Sequence, residues 1–569
     1  MSRRASFAQP AFVAVAVAVV LAVIGWREFE FLTDDAFIAF RYVHNAVVGR
    51  GLVWNPAPFL PVEGYTSFLW VTILRVVWEL FGIEPPQAVG PLSLLLGLGS
   101  LGLAARLVLR LPLGQDAGPQ AGDSSHDGAE RLLPWFVAAA LFGIVANRTY
   151  LAWTSSGLET ALFNFSFTAW VVLCIERGRA GARLGPAAAL ATAAAASALT
   201  RPDGWLAVAG TFALIVIERL QRGRFEVREL LGFWPLALPF AHLLWRHSVY
   251  GEWVPNTYFA KHLGVWPESG LRYAASFVLE YAVWMWLLAA LYWVVRATRG
   301  LDLPVRLKEP GWTGAWIGIG GLGVHFAYYT LSVGGDHFEY RVYSHLIPFL
   351  FVSFPWLLLR AGLRPSLTLA ALLTFVGLSL PIPWAHHLAT RDLVSREETH
   401  RLVQPVGALL PPPLSMLAAP FDELQAWLIP HHVSMRHREH VAFLDFRRER
   451  LPSREEGGRI GWESHPVVVS GNVGWLGWVL PNVAILDQAG LNDYVVARTE
   501  PPEGRERKMA HDRVAHLGYL ACFQPNVLES KDGVQIIERP KPLTDADIVR
   551  CEKTFRPIAH TLKASERRR

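Results

Sequence analysis

Apolar runs long enough, or nearly long enough, to cross a hydrocarbon core recur from Phe12 to about Pro381. Such a core takes ~20 helical residues to span. This pattern constrains the chain more than anything else in it, because it reserves the first two thirds for helices in lipid. The composition agrees: 52% of the 569 residues are hydrophobic and 18% charged, and the mean hydropathy is +0.27, too apolar for an ordinary soluble protein. From about Trp384 to Arg569 charges, prolines and histidines spread throughout and no stretch spans a bilayer. The predicted domains are therefore a transmembrane domain over 1–383 and a soluble domain over 384–569.

Spans are predicted near 10–27, 88–109, 133–147, 159–176, 186–200, 203–218, 230–248, 271–296, 311–331, 344–360 and 365–383, eleven crossings. Arg3 and Arg4 before the first run would also suit a secretory signal, but no small-residue cleavage site follows, so it reads as an uncleaved helix. One set of loops is basic: Arg177, Arg179 and Arg183; Arg219, Arg222, Arg224 and Arg228; Arg296, Arg299, Arg306 and Lys308; Arg360 and Arg364. The positive-inside rule places these in the cytoplasm. Ser67 to Phe81 carries Arg75 and Glu79 beside Trp70 and Trp78, a mixture suited to a helix lying in the interface. Leaving it out of the count puts the N-terminus inside and the tail outside, in the periplasm. The Gly114 to Gly128 loop, rich in Gly, Ser and Asp, reads as a mobile cytoplasmic linker.

With no repeat, no metal-ligand cysteine spacing and a net charge of only +5, neither a repeat-built transporter nor nucleic-acid binding is favoured. Cys522 and Cys551 can pair if the tail is outside.

The outer side collects the polar residues of interest. Thr33 caps a helix beginning with Asp34 and Asp35 and running to Gly49; the acids suit a helix start, or one of them takes a proton from a sugar hydroxyl. Gly51-Leu52-Val53-Trp54-Asn55-Pro56 and Val62-Glu63-Gly64-Tyr65-Thr66-Ser67 join two amphipathic helices, with aromatic faces suited to a sugar or an interfacial belt.

Asp34-Asp35-Ala36-Phe37-Ile38 with Arg41-Tyr42, followed by those two stretches, resembles the GT-C glycosyltransferase superfamily and, more closely, the terminal β-(1→2) arabinofuranosyltransferase family of the mycobacterial cell wall. Ser156-Gly157-Leu158-Glu159-Thr160, Arg201-Pro202-Asp203-Gly204, Val254 to Lys261, Gly334-Gly335-Asp336 and Gly490-Leu491-Asn492-Asp493 are similar too.

The resemblance implies a polytopic α-helical GT-C membrane fold in the bacterial cytoplasmic membrane, a polyprenyl-phosphate sugar donor used at the outer face, and Asp34 or Asp35 as catalytic base. It implies an inverting transfer of one sugar, such as a pentofuranose, to an envelope polysaccharide. The rivals are a flippase or transporter of lipid-linked sugars, and a GT-C transferase acting on protein or lipid.

Donor and acceptor contacts are assigned to Arg41, Glu63, Tyr65, Glu159, Arg201, Asn256, Tyr258, Lys261, Asp336, His337, Arg341, Asn492 and Asp493. Ser156 and Glu159 also have capping-box spacing. Arg148, Arg201, Lys261 and Arg341 are candidates to hold a lipid phosphate, with Lys261 and Arg341 preferred. A divalent metal on Asp336, His337 and Glu339 is disfavoured, since ligands so close in sequence need a bent backbone to converge, and no other cofactor is indicated. In the tail, Pro466 to Ser470 and Val483 to Asp487 read as strands among helices. The Gly471 to Gly477 turn between them lacks a phosphate loop's Lys-Ser/Thr ending; the resemblance implies that it helps, with Asp487, to hold the acceptor glycan.

Overall fold

The computed structural model describes residues 2–110, 123–180, 183–223, 227–299, 312–530 and 533–563. Most of the expected linker, and Arg224, Arg306 and Lys308, lie outside these residues.

The apolar runs are helices. Among the described residues four are long and apolar enough to cross a membrane: Gln9–Phe29, Pro85–Arg110, Arg341–Arg360 and Pro365–Thr390. Two further pairs pass that test only together, Arg131–Val145 with Arg148–Ser155, bent by 57°, and Pro267–Glu280 with Val283–Thr298, bent by 92°. Helices at Thr160–Ala180, Leu184–Thr200, Trp205–Arg222, Ala237–Tyr250 and Thr313–Ala327 occupy the other expected spans.

The right-angle break corrects the single straight crossing expected at 271–296. Ala282 turns the chain with φ +50°. Ser276 on the first arm receives a hydrogen bond from Gln425 of the tail helix Leu414–Leu428, at 2.6 Å. Two arms at right angles cannot both run along a membrane normal.

Phe68–Phe81 is a separate helix of 14 residues ending at left-handed Gly82, about 21 Å long and so short of a ~30 Å core. Its Arg75–Glu79 pair, 2.7 Å apart, is exposed.

The basic helix ends gather together. Glu176 pairs with Arg106 and Arg110, Arg177 with Glu218 and Glu229, and Gln221 bonds Thr313 at 3.1 Å. Glu159 opens the helix on which Arg177 lies, about 27 Å away at 1.5 Å per residue. The acid-bearing loops thus sit at the opposite end of the bundle from these basic ends.

The tail is mixed α/β. A four-stranded sheet has the order β2-β1-β3-β4, from β1 (Val467–Ser470), β2 (Ala484–Asp487), β3 (Val527–Ser530) and β4 (Gly533–Ile536). β1 runs parallel to β2, with Val467 opposite Ala484, and parallel to β3; β3 and β4 are antiparallel. Helix Gly474–Val479 crosses over between β1 and β2, the right kind of connection for parallel neighbours. Cys522 and Cys551 form a disulfide with Cα atoms 5.9 Å apart.

Two findings bear on the division expected at 383/384. Trp384 lies inside helix Pro381–Thr390, which continues the apolar stretch from Pro365. The tail also has no wholly separate core: Val468, Trp478, Ile485 and Val527 pack in one cluster with Phe29, Phe37, Trp54 and Trp70. A second cluster around Val467, Leu486, Val495, Tyr519 and Ile548 takes in Phe59 of the first outer loop.

Candidate active site

The two adjacent acids have different surroundings. Helix Ala36–Val47 begins after the acids, with Asp35 at its cap position; the Thr33 hydroxyl accepts from the Ala36 N–H at 3.2 Å, and the helix stops two residues short of Gly49. Asp34 is buried, at 7% exposure. Its Oδ1 accepts from the Trp475 N–H at 2.8 Å and its Oδ2 from the Gly474 N–H at 3.1 Å. Only glycine permits this approach, because a Cβ on residue 474 would lie 1.8 Å from the Asp34 carbonyl oxygen. Burial pushes the Asp34 carboxyl up to about 6, against the pull of the two amides. The Gly471 to Gly477 turn, expected to hold the acceptor, here holds this carboxylate. Asp35 is half-buried at the helix start, and no side-chain cap bond engages its carboxylate.

The wall beside the acids is the Ser156 to Glu159 segment. The Thr33 N–H donates to the Ser156 carbonyl at 3.2 Å, and a Cβ on Gly157 would come within 3.3 Å of the Ala36 Cβ. The capping-box reading fails here. Ser156 closes the preceding helix, its hydroxyl on the Trp153 carbonyl, and the Glu159 side chain turns to Arg201 at 3.3 Å.

Arg201 is fully engaged. It meets Asp203 at 3.1 Å, Glu159 and the Tyr329 hydroxyl at 2.6 Å. Asp203 also takes His325 Nε2 at 2.7 Å. The Arg201-Pro202-Asp203-Gly204 stretch forms a tight 3-10 turn between two helices, which aims both charges at Tyr329. Arg341 binds Asp336 through Nε at 2.9 Å, lies 4.3 Å over the Phe338 ring and feels the charges of Glu159 and Arg201. Gly335 lets its loop pass Tyr273: its φ is +99° and a Cβ would lie 2.8 Å from that ring. Tyr258, 49% exposed, and exposed Lys261 sit on helix Asn256–Lys261. Tyr258 acts electrostatically on Tyr328, which also feels Asp203 and Arg201. Glu159, Arg201, Asp336, Arg341 and Tyr258 therefore belong to one neighbourhood.

Other expected contacts are committed to holding the fold. Arg41, 1% exposed, donates to the carbonyls of Trp54, Gly477, Leu480 and Val483 at 2.8–3.0 Å, clasping the tail to the first loop. Glu63 is ion-paired with Arg246 at 2.6 Å; burial outweighs that partner and lifts its carboxyl to about 7. Tyr65 meets the Tyr250 hydroxyl at 3.3 Å. Asn256 donates to the carbonyls of Gly490, Leu491 and Asp493. Asn492 bonds Asp487 and Tyr42, and Asp493 caps helix Tyr494–Arg498 while accepting from Tyr519. Arg148 is likewise withdrawn, into a buried cluster with Glu280, Glu339 and Arg436.

Sequence reasoning singled out the turn holding Gly474 and Trp475 but not its hold on Asp34, and missed Arg436, Glu280, His325 and Tyr329. Their partners lie hundreds of residues away or in another loop, where no local spacing reports them. The one usable signal was a glycine-rich turn between two strands, the place where a backbone approaches something closely.

No family model matches the chain. The terminal beta-(1->2)-arabinofuranosyltransferase of Mycobacterium tuberculosis is 28% identical over 353 residues, 58% of this chain and 53% of that protein. The protein of the same name from Corynebacterium glutamicum is 28% identical over 350 residues, 58% and 48% of the two chains. The chain spans about half the length of the curated relatives it matches. Both carry the name of the family whose motifs the chain resembles. Among solved structures, ArnT from Cupriavidus metallidurans in the apo state gives a TM-score of 0.44 at 14% identity, over 85% of this chain and 86% of that one. Arabinosyltransferase EmbB from Mycobacterium smegmatis gives 0.31 at 15%, over 77% and 41%.

Proposed function

We propose that this chain is an inverting membrane glycosyltransferase that moves a sugar, arabinofuranose by the names of its relatives, from a polyprenyl phosphate to a hydroxyl of an envelope glycan. The observation that carries the reading is the division of labour in the acid pair. Asp34 is locked by two backbone amides, which leaves Asp35 half-buried and uncapped at the helix start.

In this reading Asp35 is the base. A carboxylate there takes the acceptor's proton as its oxygen attacks the anomeric carbon. The leaving group is already a phosphate, so little acid catalysis is needed. Lys261 and Arg341 steady the departing charge; Arg201, held by Asp203 and Glu159, shapes the wall between phosphate and base. Asp34 positions Asp35 and, through Gly474 and Trp475, ties the tail to the catalytic loop.

The reaction is assigned to the outer face of the cytoplasmic membrane, with the N-terminus cytoplasmic. Support comes from the gathering of basic helix ends away from the acids and from the Cys522–Cys551 disulfide, a bond suited to an oxidising compartment. The test is sugar transfer by the purified full chain from a labelled polyprenyl-phosphate sugar to an arabinan acceptor. Loss of transfer in the Asp34→Asn/Asp35→Asn double variant is expected, and intact transfer by that folded variant would refute the assignment. Mass analysis of envelope glycan from a deletion strain separates transfer, which leaves one terminal sugar missing, from transport, which leaves precursor accumulated.

A further inference from the structure

His337, His432 and His511 come from three separate parts of the chain and meet. His337 belongs to the loop between Val333 and Arg341, His432 follows helix Leu414–Leu428 at a left-handed position with φ +59°, and His511 lies in the loop before helix Leu517–Cys522. One ligand nitrogen from each ring lies within 4.8 Å of the other two. All three rings are half-buried.

The hydrogen bonds prepare the nitrogens for a cation. His337 Nδ1 lies 2.9 Å from the His432 carbonyl, and His511 Nδ1 lies 2.7 Å from the Met509 carbonyl. A carbonyl only accepts, so each Nδ1 carries the proton and each Nε2 keeps its lone pair. That arrangement, a ring N–H on a backbone carbonyl with the opposite nitrogen free, is how ligating histidines are oriented. His432 Nε2 is buried with no hydrogen-bond partner, a cost that a bound cation removes.

We infer that His337, His432 and His511 form a three-histidine site for a divalent transition metal of the Zn2+ class, which clamps the tail to the loop carrying Asp336 and Arg341. The site stands independently of the proposed transferase activity. Three neutral imidazoles select Zn2+ or its neighbours over Mg2+ and Ca2+, which want oxygen. The nearby acids are committed elsewhere: Asp336 to Arg341, Glu339 to Arg148 and Arg436, and Asp512 to the Lys508 N–H. The fourth tetrahedral position is thus left to solvent or an added anion. Tetrahedral geometry at the usual Zn–N length needs nitrogens about 3.4 Å apart, within reach of small ring rotations. Backbone bonds already align the segments: Met435 N–H to the His337 carbonyl at 2.8 Å, Ser434 N–H to Asp336 at 3.0 Å and Met509 N–H to His431 at 2.9 Å. His440 lies edge-on to His337, ring centroids 5.5 Å apart, outside the triad.

The test uses the full chain in lipid nanodiscs, purified without a histidine tag, stripped with a chelator and titrated with Zn2+ and with Co2+. Expected results are one metal per chain by elemental analysis and the intense visible bands of four-coordinate Co2+. Removing a group that merely orients a ligand costs about 10–100-fold in metal affinity. His511→Ala and His432→Ala, each losing a ligand outright, are therefore expected to bind at least about a hundredfold more weakly, and His440→Ala unchanged. His511 is half-buried and near the surface of the tail, so its variant keeps the test open if His432→Ala fails to fold. Failure of the stripped wild-type chain to take up either ion, or undiminished Co2+ bands in folded His511→Ala, would overturn the proposal.

Discussion

Asp34 and Asp35 are neighbours in sequence with opposite fates, and this separates two experiments. Asp35→Asn is expected to lower transfer by about 10²–10⁴, the usual share of a general base, with unchanged thermal stability. Asp34→Asn acts on folding as well. Burial raises its carboxyl from 3.8 to about 6, so the folded chain favours the protonated acid. That contribution is fully present below about pH 3.8 and lost as pH rises through about 6; a difference of this size is worth about 3 kcal/mol at most. The melting temperature of the wild type should therefore fall relative to Asp34→Asn between pH 4 and pH 7, and parallel melting curves across that range would contradict it. Gly474→Ala is expected to abolish transfer by driving the turn off Asp34, with the polyprenyl donor still bound. The acid pair itself was legible, because its motif sits directly after the first apolar run. Which acid is free was not, since the amides that decide it lie 440 residues downstream.

Helix starts and ends follow local rules here only where nothing distant competes. The Thr33 hydroxyl accepts from the Ala36 N–H at a helix start, and Pro202 and Gly204 turn the chain between two helices. Ser156 and Glu159 have the spacing of a capping box and do not form one, because Arg201 offers Glu159 a charge and a backbone N–H does not. The same competition places Glu63 against Arg246 of helix Ala237–Tyr250. Arg246→Met leaves a buried carboxylate uncompensated and is expected to cost about 3–5 kcal/mol, with Glu63→Gln in the same chain restoring much of it. Equal destabilisation by the single and double variants, measured by thermal unfolding in detergent, would argue against a direct pair. Likewise the apolar run at 271–296 is helical as its composition predicts, while its right-angle break falls beside Glu280, the residue that joins Arg148 and Arg436.

Over the whole molecule the tail and the first outer loop form one folded body. Closing a loop with a sequence separation of 29, the Cys522–Cys551 bond is worth about 3–4 kcal/mol by loop entropy. Reduction, or Cys551→Ala, should expose the tail to protease. Because Arg41 and the shared aromatic cluster bind tail to loop, transfer activity should decline with it; an active enzyme with a digested tail would show that the two are separable. Hydropathy determined by itself that the first two thirds are largely apolar helices, several of them long enough to cross a membrane, and charge and β-branched runs that the remainder is α/β, since both follow from the solvent each local stretch can tolerate. The motif order pointed to the acids. Only the tertiary structure decided that Arg41, Asn256 and Asn492 are clasps, that Asp34 is held and Asp35 presented, and that three distant histidines converge. A side chain's role depends on which donors and charges arrive beside it, and in this chain those arrive from segments far along the sequence that no local pattern can locate.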